Sequence, residues 1–244
     1  MRKLIWKEWH EQSWKLGFGC VVLGALAVIG LQARIVADET MMMWVCFLGL
    51  TLLPVLSSMG LIPAERAEGS FESLLSLPIA PWKILAVKTA MGVLLCAIPM
   101  LLAAGASVYM AGGREMTTAA IVDLYGRSTL TALSLFIWML ALTAHLPSEA
   151  RAGLVGLGIL IFWMLATMGL SAGPMEDYAF QHESGFVQRT LLAASPLAFV
   201  YRFDSYSAGA RPPTMAMAAG IQVLVAAALL AWARFQFTAG EGRK

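Results

Sequence analysis

An all-α membrane protein with six spanning helices is the fold this sequence predicts, and three observations carry that reading. Of its 244 residues, 59% are apolar and only 13% charged, where soluble domains carry ~25% charge. The apolar residues gather in six runs, each long enough to cross the ~30 Å hydrocarbon layer of a bilayer. The centres of those runs hold no ionisable residue. A water-soluble domain of this size has too little interior to hide so much apolar surface. A disordered chain would be poor in apolar residues and rich in net charge, and this one has a net charge of only +2.

The chain opens on MRKLIWKEWHEQSWKL, residues 1–16. At 100° per residue Ile5, Trp9 and Leu16 share one face with Trp6 at its edge. Glu8, Glu11 and Lys15 lie to one side of that face, and Lys3, Lys7 and His10 lie to the other. A basic helix with Trp on its apolar side lies in the headgroup layer, so 1–16 predicts an interfacial helix. A polar start to the first span is the alternative, at the same membrane surface. Charged and Trp-rich residues run to Lys15 without a small-residue cleavage pattern, which is not the build of a signal peptide.

Spans are predicted over 17–37, 41–62, 84–111, 128–146, 152–172 and 214–233, in one transmembrane domain covering 1–244. Pro54 and Pro99 fall inside the second and third, where neighbouring helices can satisfy the freed carbonyls. Residues 117–127 extend the fourth span outward, with Asp123 and Arg127 four apart and able to pair. The stretch 190–201 (TLLAASPLAFVY) is too short to cross and reads as an interfacial or re-entrant piece within the outer loop 173–213. That loop, about 40 residues, is longer than connections usually are without a task.

Orientation follows from the lysines. With the N-terminus in the cytoplasm, Lys3, Lys7, Lys15, Lys83, Lys88 and Lys244 all fall inside, and the outer basic residues are Arg34, Arg114, Arg127, Arg189, Arg202 and Arg211. The positive-inside rule therefore puts both termini of a multi-pass cell-membrane protein in the cytoplasm. The cysteines (Cys20, Cys46, Cys96) are scattered through apolar runs and read as small buried hydrophobes, with neither a disulfide framework nor a metal site indicated.

The segment between the second and third spans, residues 63–83, reads PAERAEGSFESLLSLPIAPWK. Pro63 suits the first position of a helical turn. Glu65, Glu68 and Glu72 suit N-terminal turns, and Phe71, Leu74 and Leu75 give one apolar edge at i, i+3 and i+4. Pro78 stops the helix, and Pro81 sits where the next can begin. A short acidic-then-apolar helix held between two spans suits docking into a groove of a soluble partner; a mere connection would be a short polar turn.

Here the chain resembles the exporter-type ABC transporter permeases, the ABC type-2 membrane subunits. Their pattern after the second span is an acidic pair, Gly-Ser/Thr, an acidic residue, a Leu-Leu run, a Pro and a later Lys. This sequence has Glu65, Glu68, Gly69, Ser70, Glu72, Leu74, Leu75, Pro78 and Lys88 in that order. The resemblance implies that 63–80 contains a coupling helix contacting a separate ATPase subunit, with Phe71, Leu74 and Leu75 as apolar contacts and Glu65, Glu68 and Glu72 meeting basic groups. It also implies that 1–16 is a connecting helix, that two permeases assemble with two ATPases, and that ATP and Mg are bound by the partner. The chain itself has no G-x-x-x-x-G-K-[ST] loop, so a non-catalytic subunit with no cofactor of its own is expected.

Rival chemistries are thinner. Gly169-Leu170-Ser171-Ala172-Gly173 spells G-x-S-x-G, yet an intramembrane serine hydrolase would need it on a strand-to-helix turn, with His182 as base. Histidines 10, 145 and 182 form no metal-ligand spacing. Secondary transport normally shows ionisable residues deep in the spans. Ala152 and Gly156 form a small-xxx-small pair that suits packing within one bundle, and Met41, Met42 and Met43 suit apolar filling. The basic residues form no nucleic-acid stripe. The outer loop suits an extracytoplasmic partner, and the apolar walls favour a lipid-like or amphipathic cargo.

Overall fold

The computed structural model describes residues 2–34, 36–70, 74, 79–111, 116–171, 190–191, 193–199 and 215–239. Its regular elements are helices: α1 (Arg2–Ala33), α2 (Asp38–Leu61), α3 (Pro63–Ala67), α4 (Pro81–Ala111), α5 (Thr118–Thr143), α6 (Glu149–Ser171) and α7 (Met215–Ala239). All except the single turn α3 are long and apolar enough to cross a membrane, which makes six candidate spans among the described residues.

Local chemistry sets the boundaries. The α5 helix starts ten residues before the most apolar stretch because Thr117 caps it, its hydroxyl accepting from the Ala120 amide at 3.3 Å. That places Asp123 and Arg127 on the helix, where the Arg127 Nε donates to Asp123 Oδ1 at 2.9 Å, the pair expected from their spacing. Arg34, with φ of 49°, leaves the right-handed region and ends α1. Pro63 opens α3 and Pro81 opens α4, while Pro54 and Pro99 lie inside α2 and α4.

The clearest departure from expectation is α1. No boundary falls at residue 16: Arg2–Ala33 is one helix of 32 residues, about 48 Å long at 1.5 Å per residue. Its buried line runs Leu4, Glu8, Gln12, then Gly19, Leu23, Ala27 and Leu31. Ile5, Trp6, Trp9 and Trp14 face outward, as aromatic side chains at a membrane–water boundary do. Glu8, expected on a solvated face, is turned into the protein instead.

Helices α2, α4 and α5 form the centre. Of the most apolar stretch of α2, 61% is buried, against 22% for α1 and α6 and 17% for α7, so those three are peripheral. The main core gathers Leu23, Leu31, Met42, Cys46, Leu53, Cys96, Met100 and Phe136 from α1, α2, α4 and α5. Ala152 is fully buried, Gly153 lies against Met59, and Gly156 lies against Met139 and Val55, so the small-residue stripe of α6 packs within the bundle.

The piece 193–199 does not cross. Ala193, Ser195, Leu197, Ala198 and Phe199 are buried, and Leu197 joins a cluster with Leu50, Leu135, Met139 and Leu160 from three spans. It is held by one side chain of α7: Gln222 Nε2 donates to the Ala193 carbonyl at 2.9 Å and to the Ser195 carbonyl at 2.6 Å. Gln222→Leu removes this donor from the Ala193 carbonyl and leaves the Ser195 carbonyl with only the Ala198 amide, at a cost of ~1–3 kcal/mol. The amides of Ser195 and Ala198, bonded to Leu191 and Ser195 carbonyls, are expected to exchange at least ten times faster in that variant; unchanged exchange would show that Leu197 and Phe199 hold the segment alone.

Candidate functional site

Among the described residues, buried charges of both signs gather at the end where α1 begins, α2 finishes and α4 starts. The geometry begins with a helix break. Pro63 has no amide hydrogen and α2 stops at Leu61, so the last carbonyls of α2 lack their usual partners. Two side chains from other helices take them. Gln12 Nε2 of α1 donates to the Gly60 carbonyl at 2.9 Å, and Lys88 Nζ of α4 donates to the Leu61 carbonyl at 2.7 Å. A cation at a helix C-terminus also meets the negative end of the helix dipole.

Lys88 is the largest fully buried side chain among the described residues. Its ammonium also donates to Glu8 Oε1 at 2.7 Å and pairs with Glu65 Oε2 at 2.8 Å. The other oxygen of Glu65 accepts from Lys7 Nζ at 2.7 Å, and Lys7 lies 3.5 Å from Glu11. Glu8 is wholly buried and Glu65 is 4% exposed, whereas Lys7 sits at the rim. Two buried carboxylates are thus balanced by one buried ammonium and one at the rim, the pairing that buried charges require. Glu8, Glu11 and Glu65 approach one another closely enough to share a metal ion, but the two lysines stand among them and already supply the countercharge.

Beyond the cluster the chain turns outward. The Glu68 amide donates to the Ala64 carbonyl and the Gly69 amide to the Arg66 carbonyl, closing α3. Gly69 has φ of 72° with nothing within 4 Å of a Cβ added there, so glycine is required by the left-handed backbone and not by space. Ser70 Oγ donates back to the Glu65 carbonyl at 3.3 Å. Ala67, Glu68 and Gly69 are exposed.

The residues predicted to meet a partner therefore divide. Glu68 and Gly69 are on the surface, and Ser70 is half-buried. Glu65 is not on the surface: its carboxylate is engaged inside the chain by Lys7 and Lys88, because the break at Pro63 turns it back toward α1 and α4. Leu74 is 6% exposed and belongs to the main core with Leu4, Leu61, Ile62 and Ile84, so it too packs inward. Phe71, Glu72, Leu75 and Pro78 lie outside the described residues. Ser171 ends α6, and Gly173 and His182 lie outside the described residues.

Sequence reasoning missed the partners Glu8, Gln12 and Lys7, and saw Lys88 only as a basic residue and a motif position. A signal was present: extended as one helix, α1 places Glu8 and Gln12 four apart and Gly19 seven further on, in line with its apolar face. No protein-family model matches the chain, and no curated protein is significantly similar to it.

Proposed function

We propose that this chain is the membrane-spanning permease subunit of an ABC exporter, driven by a separate ATPase subunit that meets the turn Ala67–Ser70. The observation that carries this reading is a surface turn fastened by a buried ion cluster to three membrane-crossing helices. A load applied to Glu68 and Gly69 is transmitted at once to α1, α2 and α4, because Lys88 joins Glu8 and Glu65 through short charge-assisted contacts and Gln12 joins α1 to the end of α2 through a neutral hydrogen bond. A connection serving only to link two spans needs no such internal anchor. In this reading the turn faces the cytoplasm with both termini, as the lysine distribution favours. Glu68 offers negative charge to a basic groove, and Glu65 serves as the anchor behind the contact.

The mechanism follows from packing. ATP closes a pair of ATPases, the turn shifts, and the inner ends of α1, α2 and α4 move as a unit. A packed bundle answers by switching between discrete arrangements, which changes the side its pathway faces. Two copies of the chain, each with an ATPase, give the pathway its walls, and the peripheral apolar faces of α1, α6 and α7 remain for lipid or the second copy.

Proton-coupled secondary transport is the competing reading, since buried ionisable residues mark proton paths in membranes. The cluster sits in the wrong place for it. Lys88 is seven residues into α4, about 10 Å from the helix end, and not near the middle of the bundle. The test is purification of the tagged chain from its native membrane. A copurifying subunit with a phosphate-binding loop and vanadate-sensitive ATPase activity is expected, with none in the chain alone. Recovery without such a subunit, together with uptake driven by a proton gradient, would replace the proposal.

A further inference from the structure

We infer that Lys88 is a positioning residue that holds α3 in one place relative to α1 and α4, so that the surface turn is a rigid extension of the spans and not a loop lying on them. The inference deepens the proposed function and rests on it for its purpose, though not for its test.

The geometry is that of a three-way junction made by one atom. An ammonium group has three hydrogens and no acceptor. Lys88 Nζ donates to Glu8 Oε1 of α1 and to the Leu61 carbonyl at the end of α2, each at 2.7 Å, and forms an ion pair with Glu65 Oε2 of α3 at 2.8 Å. Glu8 is 80 positions from Lys88 in the chain and Leu61 is 27, so the junction fixes tertiary placement and not local conformation. Helix α3 has only five residues, too few to be stable alone, and its own buried members are Pro63 and Glu65. Glu65 therefore ties the turn to the bundle, and Lys7 on its other oxygen prevents it from swinging away. Apolar packing by Leu61 and Ile62 comes from the α2 side of the break, and α3 also touches α6, so the ion pairs are its link to α1 and α4.

Buried ionic groups of this kind add little net stability compared with apolar substitutes, yet can fix a unique arrangement. That difference separates positioning from mere stability. Glu65→Leu cuts α3 from the junction while leaving Lys88 paired with Glu8. The triple variant Glu8→Gln, Glu65→Gln, Lys88→Met removes the charges together.

The experiment is hydrogen exchange on the full chain, without any partner, in lipid nanodiscs of phosphatidylcholine and phosphatidylglycerol. It follows the amides of Arg66, Glu68 and Gly69, which close α3 on Ile62, Ala64 and Arg66 carbonyls. In Glu65→Leu and in the triple variant these amides are expected to exchange at least ten times faster than in the wild type, while the exchange of central α4 amides stays unchanged and so, in Glu65→Leu, does the midpoint of global unfolding. Wild-type exchange at α3 in Glu65→Leu overturns the inference and assigns placement to packing. Equal acceleration throughout α4 also overturns it, since the cluster would then be structural only. Because no ATPase is present, either result leaves the ABC reading to be decided by copurification.

Discussion

Lys88→Met, made alone, is expected to destabilise the protein by about 3–5 kcal/mol, the cost of stranding buried charge by removing one partner. The wild-type residue is 1% exposed and its loss leaves Glu8 and the inward oxygen of Glu65 without a countercharge, and the Leu61 carbonyl without a donor. Reversible unfolding in mixed micelles measures the loss. Adding Glu8→Gln and Glu65→Gln to Lys88→Met is expected to recover most of it, because a neutral interior needs no compensation. A single variant as stable as the wild type would mean that the cluster is wet or already neutral, and the account of the site would fail at its base.

How far the sequence revealed this site depends on which residues are considered. Composition and apolar runs gave six spans, and Pro63, Pro81, Thr117 and the Asp123–Arg127 pair mark positions where local chemistry decides structure. Those features need no knowledge of what lies across the bundle. Glu8 and Lys88 are different. A charged residue near a span end ordinarily lies in the headgroup region, and only tertiary contact across 80 positions turns this pair inward. Leu74 is a similar case: an apolar residue on a short helix has two possible neighbours, a partner or its own core, periodicity does not choose between them, and within this chain it packs in the core. The outward side of α1 carries Trp6, Trp9 and Trp14, while a division at residue 16 hides the buried line that runs through Glu8 and Gln12. Gly69 was visible as a motif position, and its left-handed backbone supplies the physical reason.

The second large effect is expected at the crossing of α4 and α5. Gly92 and Phe136 are both buried, and a Cβ at Gly92 would overlap the Phe136 ring itself. Gly92→Leu is therefore expected to cost at least the ~1–3 kcal/mol of overpacking, since the ring has no free volume to enter. Were the site open, Gly92→Ala would instead stabilise by up to ~1 kcal/mol through helix propensity. A double-mutant cycle with Phe136→Leu should show coupling above 0.5 kcal/mol, as for residues in direct contact. Additive effects would place the two helices farther apart than described. In the proposed mechanism the crossing also matters, because Gly92 lies about one turn beyond Lys88 on α4 and meets Phe136 of α5, so that motion at the cluster would pass to α5 through this contact.

A coupling role for the turn requires Glu68 to lie on the cytoplasmic side under a peripheral subunit. The most direct measurement is the labelling rate of Glu68→Cys, in a chain without Cys20, Cys46 and Cys96, by a membrane-impermeant maleimide in inverted native membrane vesicles before and after peripheral proteins are stripped with urea. The account predicts a slow rate before stripping and one at least ten times faster after it. Labelling only from the opposite face of the membrane, or a rate that stripping leaves unchanged, would contradict it.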